Sequence, residues 1–431
     1  TLSLHDALPI SGTASRCTDG KTDEHEKPVR QRQLRGHLPG SLQTFLAVHT
    51  LNALVGNINQ PGGIQAVPEP DYIDWPEPEI DAVAAEGLQK PRIDGAGSHR
   101  YPNARYLLHR LPEAINASAE SPVEMLFVYD ANPLYSLPDT ESVKRAFEKI
   151  PFVVSFSSYL DETTAMADLL LPNHIYLERY QDIPLALGFP KPIISLARPA
   201  VEPLYNTRHT GDFIIQLAKA LGDNIGAAFP WDEYTACLEE TLGDRWDAMV
   251  EQGYWVDDQF SGADWVDAFE TVSTKFECTN SDIRELAEYH PVKLEGDESL
   301  YPLVLVPYDT MRLTSGYIAT PPFLVKALED TILKGNDVLV EINSATAKPL
   351  GLSEGKYASL ATLKGSVRVK THLTNRIMPG VIAIPRGLGR TTEDRSLADR
   401  GINYNQFSSA IEDPASGHNT AWGIRAKLSK A

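Results

Sequence analysis

The sequence predicts an α/β protein in which a partial parallel-sheet domain is followed by a separate small β-barrel. Three observations point there. Two apolar runs, Pro122–Tyr129 and Phe152–Val154, flank a helical stretch that begins near Asp139, the pattern of a strand–helix–strand unit. The second run leads into a polar turn, Ser155–Asp161, a helix start at Glu162-Thr163-Thr164-Ala165, and a third apolar run, Leu169–Leu171, that stops at Pro172. After Tyr301 the texture changes to short β-branched runs punctuated by turns.

Composition narrows the function classes. The chain has 431 residues, enough for two or three domains with real cores. Its net charge is −19, with Asp+Glu 58 against Lys+Arg 39, and no basic patch stands out, which argues against a nucleic-acid backbone as partner. No apolar run is long enough to span a bilayer. The three cysteines, Cys17, Cys237 and Cys278, are widely separated and form no CxxC pair, so no iron–sulfur cluster or zinc ribbon is expected within this chain. Residues 1–35 carry no consistent period and lack the charged start and apolar core of a secretory signal. TLSLHDALPIS has the look of a translated adapter scar joined to a truncated reading frame, so this segment reads as a non-native or disordered leader.

Taken in order, Ser41–Gly56 has apolar residues at helical spacing and is stopped by Pro61-Gly62-Gly63. Val67–Pro102, rich in Pro, Asp and Glu, reads as an exposed excursion anchored by Trp75. Asp130–Pro133 is a turn after the first strand, and Pro138-Asp139 opens the crossover helix. Asp161 or Thr163 is positioned to cap the short helix that follows the second strand. In a βαβ unit both loops, Asp130–Pro133 and Ser155–Thr164, leave the sheet at the carboxyl edge. Small polar side chains and backbone donors there suit a phosphate or dinucleotide; surface acids on an ordinary strand–loop–strand fit the spacing equally well. Thr210–Leu221 is an amphipathic helix started by Thr210 or Asp212 and stopped by Gly222. The acidic stretch from 229, with Trp231, Trp246, Trp255 and Trp265, reads as a mainly helical insertion whose tryptophans pack. In the last part, Leu303–Val306, Val338–Ile342, Tyr357–Leu363, Val367–Val369 and Val381–Ile384 are strands, Lys364-Gly365 and Pro379-Gly380 are turns, and Asn343–Leu350 is a short helix. The expected divisions are therefore 1–35, 36–228, 229–298 and 299–431.

These residues carry a family likeness. DETTAMADLLLPNHIYLE, preceded by ANPLYSLPD and followed by PLYNTRHTGDFIIQLAKALG, resembles the molybdopterin-dinucleotide oxidoreductases of the dimethyl-sulfoxide-reductase superfamily. LNALVGNINQPGG is similar to the segment they carry earlier, and the stretch from Asn343 to Gly389 resembles their C-terminal domain. The wording around 152–178 looks most like the menaquinone reductase and alternative-complex-III type subunits. The resemblance implies a partial Rossmann-like domain and a double-psi β-barrel. It implies a molybdopterin guanine dinucleotide with molybdenum or tungsten in the intact parent, or the vestige of its site. It also implies iron–sulfur and membrane-anchor partner subunits and a periplasmic location. On the same ground Asn132 and Pro133, then Ser155, Glu162, Thr163 and Asp168, belong to two cofactor loops. Arg312, Thr314 and Ser315 would form the first cofactor loop of the barrel, and Gly387, Gly389, Asn403 and Asn405 the late one. No catalytic residue or metal ligand is expected here, because the family's metal-ligating half would precede residue 36. Three functions follow: a cofactor-holding part of an oxidoreductase subunit, a cofactor-free scaffold of a quinone-linked membrane complex, or an unrelated soluble α/β enzyme.

Overall fold

The computed structural model describes residues 38–431, except 61, 65–66, 68–69, 71, 73–79, 103, 185–188, 263–270, 272, 278–290, 311, 314–321, 392–397 and 421. Trp75, Trp265, Cys17, Cys278, Thr314, Ser315 and Tyr317 lie outside the described residues. The helices are α1 (Ser41–Leu54), α2 (Ala82–Gln89), α3 (Leu111–Ala117), α4 (Pro133–Ser136), α5 (Thr140–Lys149), α6 (Thr210–Leu221), α7 (Asp223–Ala227), α8 (Tyr234–Leu242), α9 (Trp246–Gln252), α10 (Pro322–Lys326) and α11 (Ser344–Ala347). The strands are β1 (Met125–Tyr129), β2 (Phe152–Phe156), β3 (Leu169–Leu170), β4 (Gln181–Pro184), β5 (Ile193–Ala197), β6 (Tyr254–Val256) and β7 (Leu303–Tyr308). They continue with β8 (Leu333–Lys334), β9 (Asp337–Ile342), β10 (Tyr357–Thr362), β11 (Gly365–Leu373), β12 (Val381–Pro385) and β13 (Ile424–Lys430). The chain forms two compact units, one from the described parts of 43–91 and 171–288, the other from 38–42, 92–170 and 289–431.

In the second unit, β1, β2 and β3 form a parallel sheet in that order, with Met125 beside Phe152 and Val154 beside Leu169. The crossover α5 packs one sheet face: Val128 and Val153 join Ile115, Val143, Ala146, Phe147 and Ile150 in one cluster. Period-2 alternation puts Met125, Phe127 and Tyr129 on the other face, where they stay 54%, 40% and 48% exposed. Strand β1 is thus buried on one side only. The barrel follows in the same unit. Strands β11, β10, β13, β7, β12 and β9 are hydrogen-bonded in sequence, and β9 pairs back to β11, closing six strands, with β8 added at β9. Two parallel pairs, β7–β12 and β9–β11, give the double-psi connectivity. Its interior is aliphatic, with Leu305, Val340, Ile342, Leu360, Ile382 and Ile384 at its centre.

The first unit contains the antiparallel sheet β4-β5-β6, in which Gln181 faces Ala197 and Ile193 faces Val256. Its core is Ile194, Leu196, Leu238, Leu242 and Met249, with Trp246 and Trp255 packed against it, so those two tryptophans do pack. Two sequence expectations are corrected. Helix α6 is capped by neither Thr210 nor Asp212: His209 Nδ1 accepts from the Gly211 N–H at 3.0 Å, while Asp212 accepts from the Tyr234 N–H. The Val67–Pro102 stretch is not wholly an exposed excursion. It contains α2, and Asp94, Ala96 and Tyr101 are buried, with Ala96 and Tyr101 packed on Ala104 and Leu107.

Candidate functional site: a polar junction between sheet and barrel

Within the second unit, the carboxyl edge of the parallel sheet meets two barrel loops. Asn132 follows β1 and is 3% exposed. Its side-chain oxygen accepts from the Thr163 hydroxyl at 2.7 Å and the Thr163 N–H at 3.2 Å, and its amide donates to Glu162 Oε2 at 2.7 Å. Thr163 Oγ1 in turn accepts from the Leu134 N–H at 3.1 Å, the second residue of α4 after Pro133. The short helix after β2 is a 3-10 turn, Thr164–Met166; Asp161 caps it by accepting from the Thr164 N–H at 2.8 Å. Burial raises the Asp161 pKa, against the Thr164 hydrogen bonds, which lower it.

The barrel side supplies cations and amides. Glu162 Oε1 accepts from the Thr391 N–H at 2.7 Å, and Arg390 Nη1 lies 3.5 Å from Glu162 Oε2, both side chains being nearly buried. The Arg390 guanidinium lies 3.7 Å from the centre of the Tyr135 ring, a cation–π stack. The Tyr135 hydroxyl donates to the Leu388 carbonyl at 2.7 Å. Burial pushes the Tyr135 pKa well up, against the opposing pull of Arg390. Asn403 and Asn405 both donate to the Tyr135 carbonyl, at 3.0 and 2.8 Å, and Asn403 accepts from the Asn405 N–H at 3.0 Å. The two glycines are held by close approach. A Cβ on Gly387 would come within 2.7 Å of the Leu313 carbonyl, and one on Gly389 within 2.1 Å of the Asn403 nitrogen, both at positive φ.

The structure therefore brings together Asn132, Pro133, Glu162, Thr163, Gly387, Gly389, Asn403 and Asn405. Of the others, the described Ser155, Asp168 and Arg312 lie elsewhere or in support. Ser155, 1% exposed, shares a hydrogen bond with the Thr164 hydroxyl at 2.9 Å. Asp168 accepts from the Val153 N–H at 2.7 Å, tying β3 to β2. Arg312 donates to the Ala327 carbonyl at 2.7 Å and sits 3.8 Å from Glu329. Tyr135, Arg390 and Thr391 are central, and sequence reasoning does not single them out. A basic residue directly after the Gly387–Gly389 pair is the available signal.

A parallel α/β sheet whose carboxyl edge faces a closed six-stranded barrel is the arrangement that the likeness to pterin-dinucleotide oxidoreductases implies. The molybdopterin oxidoreductase family profile matches residues 40–220, and the molydopterin dinucleotide binding domain profile matches residues 326–423. The chain belongs to the molybdopterin oxidoreductase family. It is 28% identical over 382 residues to the menaquinone reductase, molybdopterin-binding-like subunit of Nitratidesulfovibrio vulgaris, covering 88% of this chain and 50% of that one. It is 23% identical to the arsenate respiratory reductase molybdopterin-containing subunit of a Shewanella species, covering 90% of this chain and 55% of that one. Acetylene hydratase from Pelobacter acetylenicus shares the fold with a TM-score of 0.61 at 23% identity, over 78% of this chain and 47% of that one. The chain spans about half the length of the curated relatives named here.

The donor set has the right chemistry for a diphosphate and a purine, but among the described residues its groups are already paired within the protein. Asn132, Glu162, Thr163, Asn403 and Asn405 are spent on one another and on Tyr135, Arg390 and Thr391. The cavity lined by Tyr135, Ser136, Arg386, Gly387, Asn403, Tyr404 and Asn405 measures about 10 Å³, room for roughly one water molecule. Of the tyrosines that could fill such a groove, Tyr404 is 2% exposed and lies in the barrel core, whereas Tyr159 is 45% exposed.

Proposed function

We propose that this chain is the C-terminal part of a molybdopterin-oxidoreductase-type subunit of a quinone-linked respiratory complex, where it serves as architecture. One observation carries the reading: among the described residues, the polar groups that would cradle a pterin dinucleotide are paired with one another, centred on Glu162. Similarity to the Nitratidesulfovibrio relative, a molybdopterin-binding-like subunit of a menaquinone reductase, supports the same placement. The partners on this reading are iron–sulfur and membrane-anchor subunits; among the described residues no helix is long and apolar enough to cross a membrane itself. A periplasmic location is part of the proposal and is checked by cell fractionation. The main test is metal analysis and pterin fluorescence on the protein purified from a host that makes the cofactor. The reading expects neither molybdenum, tungsten nor pterin in stoichiometric amount; one equivalent of pterin dinucleotide would end it.

A second reading keeps the cofactor. It is favoured by the match of the dinucleotide-binding domain over 326–423 and by the convergence of the two sets of loops. A bound pterin with molybdenum or tungsten would supply two-electron redox chemistry; this chain would contribute binding and orientation only. Metal content measured on the assembled complex separates the two readings.

A further inference from the structure

The outer face of the barrel carries a second polar cluster, wholly within the second unit. Val340 and Ile342 of β9 and Val369 of β11 belong to the barrel core, so strand alternation turns Glu341 and His372 outward. The two are direct neighbours in the parallel register of β9 and β11. With Tyr308, Glu329, Thr374 and Arg376 they line a cavity of about 390 Å³, within the size range of small-molecule sites. Ile332 and Leu373 add an aliphatic wall. None of these residues belongs to the Glu162 junction.

The lining groups are held in place by the protein around them. Glu354 accepts from the Leu373 N–H at 2.6 Å and pairs with His372 Nδ1 at 3.1 Å. Burial would raise the Glu354 pKa, but those two contacts outweigh it and lower it. A carboxylate only accepts, so His372 carries its proton on Nδ1 and keeps Nε2 as an acceptor. Glu329 sits on a tight turn, its carbonyl accepting from the N–H groups of Ile332 and Leu333 at 2.8 and 3.1 Å. Its exposed carboxylate has long contacts, 3.5 Å to the Thr331 hydroxyl and 3.8 Å to Arg312. Arg376 is exposed and makes no ion pair among the described residues, and its N–H donates to the Thr374 hydroxyl at 3.2 Å. Glu341, 4% exposed, is engaged within the protein and contributes negative field at the depth of the cavity. A plain anion would meet the field of Glu341 and Glu329, and a plain cation would leave Arg376 unmatched. A molecule with both an ammonium and a carboxylate satisfies the whole set. We propose that this cavity binds a free aliphatic amino acid, with its ammonium on Glu329 and His372 Nε2, its carboxylate on Arg376 and its side chain against Ile332 and Leu373.

The test is calorimetric titration of the 431-residue chain with L-leucine, isoamylamine and isocaproate. The three share one side chain and carry both charges, the cation alone and the anion alone. Leucine is expected to bind at least roughly tenfold more tightly than either single-charge analogue, a difference on the scale of one charge-assisted hydrogen bond. Arg376→Gln should weaken leucine by about the same factor and leave isoamylamine unchanged, and Glu329→Gln should weaken leucine and leave isocaproate unchanged. Both side chains are exposed, so neither change disturbs the barrel core. Absence of leucine binding by the wild-type chain overturns the proposal. Equal affinity for leucine and isoamylamine does so too, as does an Arg376→Gln variant that binds leucine like wild type. None of these results touches the architectural reading, which the pterin and metal measurement decides separately.

Discussion

Asp94 shows how one buried acid can hold a loop. Burial alone would raise its pKa, but the Arg92 guanidinium and the N–H groups of Leu107 and Ala96 outweigh that and hold it at about 2. A carboxylate whose pKa is depressed on folding contributes stability that is present above its unfolded value, near 4, and is lost as pH falls towards 2. Asp94→Asn should therefore cost roughly 2 kcal/mol near neutrality, with the difference from wild type shrinking between about pH 4 and pH 2 in urea unfolding curves. Glycines give a sharper contrast. Gly380, at φ +83°, has open space where a Cβ would stand, whereas Gly389, at φ +73°, would drive one into Asn403. Gly380→Ala is expected to cost about 1 kcal/mol for its backbone angle alone, and Gly389→Ala well over ~2 kcal/mol, read from thermal midpoints. Gly380 is legible in the sequence as a turn glycine; Gly389 is marked only by the family likeness. The close approach at Gly389 is not legible, because its partner lies beyond a second loop.

Among the elements, helix α5 is tied to the barrel through its cap. Asp139 sits at φ 56°, accepts from the Ser142 N–H, pairs with Lys364 at 2.7 Å and donates its own N–H to the carbonyls of Asn405 and Ser408. Asp139→Ala should cost about 1–2 kcal/mol, and Asp139→Asn less, because Asn still caps and tolerates the left-handed region; denaturant midpoints check the order. The strand–helix–strand unit and the barrel strands are legible because short apolar runs bounded by turn residues are written locally in Met125–Phe156 and again after Tyr301. The α6 cap is not, because His is a rare cap; its ring is held by stacking on Tyr234, with centroids 4.3 Å apart, a contact from a different helix. Nor is the exposed face of β1, because Pro122–Tyr129 is largely apolar, and a near-continuous apolar run says nothing about which side is covered.

At the scale of the whole molecule, the question is what joins a parallel sheet to barrel loops more than two hundred residues away in the chain, as Thr391 is from Glu162. Family likeness marks Asn132, Glu162, Thr163, Asn403 and Asn405 as neighbours of a cofactor. Sequence does not show that they satisfy one another, since that depends on Tyr135 and Arg390, which only the fold brings to the same place. The most direct measurement is a double-mutant cycle across the junction, Glu162→Gln and Arg390→Gln singly and together, by urea unfolding of the full chain. A latch made by the protein itself predicts a coupling of about 1–2 kcal/mol between the two positions; additive costs, with coupling inside about 0.3 kcal/mol of zero, would contradict it.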